Sequence, residues 1–208
     1  MKYPVTKFKS LTVALKEIEP FVRNGQHLQT GKPFDRFDDM RSREMLANWL
    51  VCVAVNAVTD SNLTFSSDPI GGDGIILDEA TGETWPTEHV MVPRLRADQT
   101  VDAHALILDK VEQKRSKGGA AYAAGKTLIV FLDADVGEWF PNRVAQQLPE
   151  PLHFATVWVV GLRAVEAGEY VYNVTNLDLS KGVVPALLVR IGKDFDKWEV
   201  TPVQWPLP

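Results

Sequence analysis

One cysteine stands among the 208 residues. Cys52 has no partner in the chain for a disulfide, so nothing here requires an oxidising compartment. The opening residues, MKYPVTKFKS, contain no apolar signal core. The longest apolar run, LANWLVCVAVNAV, is broken by two asparagines and is shorter than the roughly 20 residues that span a bilayer. No membrane partner is expected, and the expected location is the cytoplasm. Positive charge is also scarce: 22 Lys and Arg stand against 27 Asp and Glu, a net charge of −5. That excludes a chain that coats nucleic acid non-specifically, although it leaves room for a local basic groove.

Several catalytic signatures are missing as well. The four histidines, His27, His89, His104 and His153, are scattered without a zinc spacing and read as structural. There is no serine elbow and no recognisable cysteine–histidine pairing. The segment GAAYAAGKT at 119–127 has one residue too many for a phosphate loop, and it precedes its strand instead of following one. It reads as the end of a helix and the start of a strand. Without a phosphate loop, Asp133 and Asp135 read as turn residues.

What remains is an ordinary globular composition, 45% hydrophobic and 24% charged, so no long disordered span is expected. The length suits one domain over residues 1–208. Its expected parts are N-terminal helices at 10–58, a core at 59–162, and C-terminal strands with an extension at 163–208. Apolar positions Leu11, Val13, Leu15, Ile18 and Phe21 predict a first helix over 10–23. A second helix is predicted to start near Phe37 or Ser42 and run to Val58. Its later half is nearly all apolar and should be central to the core. A third is predicted over 101–117, with Val101, Ala105, Ile107, Leu108 and Val111 on one face and Gly118-Gly119 ending it. Continuous apolar runs at 127–132 and 154–162 predict buried strands, with a short helix near 142–147 between them. The segments 169–174, 186–191 and 198–203 are strands or short elements whose type the pattern leaves open. No repeat or low-complexity tract interrupts this series, which implies a mixed central β-sheet flanked by helices, an α/β fold.

The most informative stretch is 68–92, DPIGGDGIILDEATGETWPTEHVMV. Two runs flank a turn rich in Asp, Thr and Gly at 78–83, which predicts a β-hairpin. With the turn centred between Ala80 and Thr81, Asp73 faces Glu88 across the two strands. Directly opposed residues have Cβ atoms roughly 4.5–5.5 Å apart. Two carboxylates that close repel unless a cation or a shared proton lies between them. A divalent metal with oxygen ligands is one such partner. Gly71 and Gly72 would let a backbone or a phosphate approach. His89, next along the strand, should point to the opposite face.

The order of a Glu-bearing helix, an Asp at the start of a hairpin, a Glu on the next strand, a Lys-bearing helix and an apolar strand resembles the PD-(D/E)XK nuclease superfamily. The resemblance covers about 42–132 and implies a restriction endonuclease-like fold. Carried across, Asp73 matches the first carboxylate, Glu88 the second, and Glu44 the acid that many members carry on the helix. The pattern is broken at one point: where the third motif has Glu-x-Lys, this chain has Glu88-His89-Val90. Some members place the lysine on the following helix, and Lys114 is the candidate there. By helical phase it lies where the apolar face meets the sheet margin, while Lys110 and Lys117 project to solvent. Arg115 falls within the apolar sector, and its planar fork suits a phosphate clamp.

The resemblance implies a metal-dependent endonuclease that hydrolyses phosphodiesters in DNA, with Mg²⁺ or Mn²⁺ on Asp73 and Glu88, or a catalytically inactive relative that binds a protein or nucleic acid. Arg94, Arg96, Lys110, Lys114, Arg115 and Lys117 concentrate positive charge beside the proposed site and are the candidates for holding phosphates. A homodimer is compatible with the sequence.

Overall fold

The computed structural model describes residues 8–29, 40–94, 102–133 and 136–203. Three helices come first: α1 (Leu11–Arg23), α2 (Gln26–Gln29) and α3 (Ser42–Val58). A meander of β1 (Leu63–Ser66), β2 (Gly74–Asp78) and β3 (Thr84–Val92) follows. Helix α4 (Ala103–Ala123) crosses over to β4 (Thr127–Leu132), and α5 (Pro141–Gln146) precedes β5 (Thr156–Glu166). Then come β6 (Glu169–Asn176), β7 (Ala186–Ile191) and β8 (Trp198–Pro202).

The eight strands form one mixed sheet whose spatial order is the chain order. Pairs β3–β4 and β4–β5 are parallel, as a helical crossover requires, and the others are antiparallel. The molecule is thus mixed α/β.

Alternation along β4 shows why the sheet is covered on both faces. Ile129 and Phe131 join the core under α1 and α3, while Leu128 and Val130 join the core under α4 and α5. All six residues of β4 are buried, as its unbroken apolar run predicts. Helix α3 has apolar residues all round because it is buried all round, with α1 beside it and the sheet beneath. Cys52 lies inside it, fully buried, and burial pushes its thiol pKa up, so it is no nucleophile.

The structure corrects several sequence expectations. Strand β1 was not anticipated; four residues are too few to show a period, and β1 forms because the hairpin offers an edge, pairing Leu63 with Asp78. Helix α4 breaks at Gly119 as expected, with a φ of 57° and a ψ of −154°, but a further helical turn follows it to Ala123. Its buried stripe is Ala103, Ile107 and Val111; Ala105, expected on that face, is exposed. The three C-terminal segments left open are β6, β7 and β8. Phe37, Val101 and Asp135 lie outside the described residues, within which α3 starts at Ser42. Among the described residues no helix is long and apolar enough to cross a membrane.

Candidate active site

The hairpin register puts the two acids together. Gly74 pairs with Thr87, Ile75 with Pro86 and Ile76 with Trp85, so the residue before Gly74, Asp73, falls opposite Glu88. The turn that sets this register is fixed by Asp78, whose carboxylate accepts from the Ala80 and Asn62 amides and from the Thr81 hydroxyl. Across the end of β2, the Asp73 amide donates to the Thr87 carbonyl at 3.3 Å. Its Oδ2 accepts the His89 amide at 2.7 Å.

Glu88 points to the α4 side of the sheet, where its side chain is 7% exposed. A carboxylate so buried needs compensation, and three donors supply it. Lys114 Nζ lies 3.1 Å from Oε2, and Lys126 Nζ lies 2.8 Å from Oε1. The Tyr122 hydroxyl makes a short hydrogen bond to Oε2. Burial works to raise the Glu88 pKa, but the bonds from Lys126 and Tyr122 and the charge of Lys114 outweigh it and hold the group at about 2. The same contact acts in reverse on Tyr122: burial, then the Glu88 carboxylate, push its phenol up, so it stays protonated and donates.

Lys114 also reaches the other acid, with its Nζ 3.7 Å from Asp73 Oδ2. One ammonium on the α4 surface therefore spans both hairpin carboxylates. Helical phase places it there, four residues beyond Lys110 and three beyond the buried Val111.

On the α3 side the third acidic candidate, Glu44, has a different setting. Its Oε2 accepts the Arg41 amide at 2.9 Å, and its Oε1 lies 2.5 Å from the Arg41 guanidinium. Both oxygens are used at the start of α3, and Glu44 is buried. It communicates with Asp73 through Arg41, whose Nη1 lies 3.9 Å from Asp73 Oδ1. His89 turns to this face, as strand alternation predicts, with Nε2 3.3 Å from Asn48 Oδ1. Burial lowers its pKa, so the ring is neutral at pH 7. Gly74 lets α3 come this close: a Cβ there would lie 2.4 Å from Asn48 Nδ2 and 2.9 Å from Thr87 Oγ1. Before Asp73, the Gly72 amide closes the loop by donating to Asp68 Oδ2 at 3.1 Å.

The remaining basic candidates divide. Lys117 Nζ lies 5.5 Å from the centre of the Tyr122 ring and so borders the Glu88 cluster. Arg115 is committed to Glu112 by two hydrogen bonds of 2.7 and 2.8 Å. Lys110 is half-buried, not fully solvated, with Nζ 3.3 Å from Gln113 Oε1 and 3.7 Å from Asp109. The Arg94 amide donates to Asp133 Oδ2 at 3.3 Å, and Arg96 lies outside the described residues.

Lys126 and Tyr122 are the residues that sequence reasoning missed. Both lie in GAAYAAGKT, set aside once its phosphate-loop spacing failed. The structure bears out its reading as helix end and strand start, yet these two side chains reach Glu88. The assembled sheet accounts for Lys126: Glu88 pairs with Leu128 in parallel register, and a residue two before Leu128 shares its face of the sheet. The Lys126 ammonium lies 4.2 Å over the Tyr122 ring, close enough for a cation–π contact.

A separate open cleft of about 530 Å³ lies at the C-terminal ends of β4 and β5, lined by Leu132, Trp139, Gly161 and Arg163 among others. None of its lining residues belongs to the Asp73–Glu88 cluster.

Among the described residues no group of three or more His, Cys, Asp or Glu side chains gathers closely enough to hold a metal ion alone. The donor set at Asp73 and Glu88 is two carboxylates. Compared with known proteins, the chain matches no protein-family model, no curated protein and no solved structure.

Proposed function

We propose that the protein is a divalent-metal-dependent phosphodiesterase acting on DNA, with Asp73, Glu88 and Lys114 at its centre. The observation that carries this reading is the Lys114 ammonium, 3.1 Å from Glu88 and 3.7 Å from Asp73. A preformed pair of hard oxygen donors with a cation across it is what phosphodiester hydrolysis asks for. The fold order supports the same reading: an acid-bearing helix, a β1–β2–β3 meander with the acids on β3 and just before β2, a crossover helix and a parallel strand resemble a restriction endonuclease-like core.

The donors fit Mg²⁺ or Mn²⁺. Mg²⁺ commonly binds through one or two carboxylates and completes its shell with waters and substrate phosphates, so two acids suffice. Asp73 Oδ1 is available, its Arg41 neighbour lying beyond hydrogen-bond range at 3.9 Å. Asp73 and Glu88 would hold the ion, which when bound would supply an activated water and charge neutralisation at phosphate. Lys114 offers a fixed positive charge where negative charge develops, in place of the motif lysine that Val90 lacks. The Asp73 bond to the His89 amide keeps one of its oxygens aimed along the strand. Arg41 and Glu44 hold the start of α3 against the same carboxylate.

The test is cleavage of supercoiled plasmid and single-stranded DNA with Mn²⁺ by wild type, Asp73→Ala and Lys114→Ala. Wild type is expected to cut, Asp73→Ala to be inactive, and Lys114→Ala to lose on the order of 10²–10³ in rate. Unchanged rates in either variant would remove that residue from the site.

One observation favours a second reading. Glu88 already has two ammonium partners, Asp73 lies between Lys114 and Arg41, and Arg41 also holds Glu44, so three acids meet three cations without metal. A catalytically silent domain that binds a protein or nucleic acid would keep such a closed cluster. Absence of both cleavage and Mn²⁺ binding in wild type would favour it.

A further inference from the structure

We infer that Lys126 couples metal binding to substrate binding at this site: in the free protein it occupies Glu88, and it gives that carboxylate up to a divalent cation when a DNA phosphate takes its ammonium. The inference rests on the phosphodiesterase reading and adds a residue and a form of regulation to it.

Both Glu88 oxygens are taken. Lys126 holds Oε1 at 2.8 Å, while Lys114 and Tyr122 share Oε2. A divalent cation that binds one Glu88 oxygen meets the ammonium already held on that oxygen, and the two positive charges repel. One donor must leave.

The three differ in what leaving would cost. Tyr122 is a neutral donor wedged against Phe154, with ring centres 6.5 Å apart. Lys114 is 16% exposed and spans both acids, so it stays tied to Asp73 when Glu88 changes partner. Lys126 is the most exposed of the ammonium groups at 25%, and Glu88 is its carboxylate partner. Its main chain is pinned, the amide on the Ala123 carbonyl and the carbonyl on the Ala155 amide, so only the flexible four-carbon stem has to swing.

It also has somewhere to go. Its Nζ already lies 4.2 Å over the Tyr122 ring, which Lys117 borders from 5.5 Å. Lys117 and Lys126 thus place two positive charges around one aromatic surface beside the acids, a seat for the phosphates that flank a scissile bond. A phosphate that draws Lys126 onto that surface uncovers Oε1 for the metal. By linkage, the metal in turn frees Lys126 for the phosphate, so each ligand raises affinity for the other.

This role makes an unusual demand on a variant. Removing the charge should tighten metal binding while weakening DNA binding, whereas loss of a merely structural contact would weaken both. Calorimetric titration with Mn²⁺, without DNA, is the test for wild type, Lys126→Met and Lys126→Arg. Lys126→Met is expected to bind at least about tenfold more tightly than wild type, and Lys126→Arg, which keeps the charge, within about threefold of it. DNA binding by Lys126→Met should weaken and its salt slope fall by about one. For a readout free of mutation, the ¹⁵N signal of the Lys126 ammonium in wild type should shift on saturation with Mg²⁺. Mn²⁺ binding in wild type with no gain in Lys126→Met, or an ammonium signal that ignores saturating Mg²⁺, would overturn the coupling alone. No Mn²⁺ binding by any of the three proteins would overturn the phosphodiesterase reading, and the coupling with it.

Discussion

Glu88 shows how a buried carboxylate can add stability through the cations around it. Its pKa in the fold is about 2, against an ordinary 4.5. A depressed carboxylate pKa stabilises the folded state at pH values above the unfolded pKa, and that stabilisation is lost as pH falls toward the folded pKa. The loss should therefore run from about pH 4.5 down to about 2 and amount to roughly 3 kcal/mol at full protonation. Urea unfolding of wild type and Glu88→Gln across that window checks it: the wild type should lose stability with acid more steeply than the variant. Parallel slopes would mean that Glu88 is not held by its cations.

At this scale much of the site was legible. Strand pairing put Asp73 against Glu88, and helical phase brought Lys114 to them, because both depend on fixed periods of the backbone. Lys126 and Tyr122 were not legible in the same way. Tyr122 lies in the last turn of α4, beyond the Gly119 kink that breaks the helical phase, and Lys126 lies in the connection to β4, so their contact with Glu88 depends on a parallel register that only the assembled sheet defines. The close approach of Asn48 to Gly74 is equally a product of packing.

Among the elements, α4 decides whether the site assembles. It carries Lys114 before its kink and Tyr122 after it. Gly119 sits at φ 57° and ψ −154° with nothing within 4 Å of the place a Cβ would occupy. A side chain there meets no clash, but it does meet a backbone conformation that L-residues avoid, at a cost on the order of 1–3 kcal/mol. Gly119→Ala should lower stability by that amount in chemical denaturation. It should also disturb the Tyr122 contact, seen as a change in tyrosine fluorescence. An unchanged midpoint would mean that the helix straightens through the glycine without penalty.

Long elements with clear patterns were read correctly in kind: α1, α3 and β4 follow from their apolar residues, and the hairpin from its turn residues between two runs. Failures fell on short or context-made elements. Strand β1 exists because β2 offers an edge, and β6 to β8 take their type from successive antiparallel pairing beyond β5. The glycine pair at 118–119 does end the first helical segment of α4, as a glycine at positive φ commonly does. Here packing of Ala123 into the lower core carries the chain one turn further.

Across the whole molecule, the sheet separates two cores and sets the hairpin acids where α3 and α4 meet its margin. Arg41 and Glu44 approach Asp73 from one helix, and Lys114 approaches both acids from the other. With a net charge of −5, any contact with a polyanion would rely on such local clustering of cations. The central claim is that Asp73 and Glu88 form one cation site in which Lys114 takes part. Diffraction from a crystal soaked in Mn²⁺, collected for anomalous signal, tests it most directly. The account predicts one strong peak bonded to oxygens of Asp73 and Glu88 at roughly the 2.0–2.6 Å typical of hard cations, with Lys126 withdrawn from Glu88. Data with no peak there, and with Lys114 and Lys126 still closed on Glu88, would contradict it.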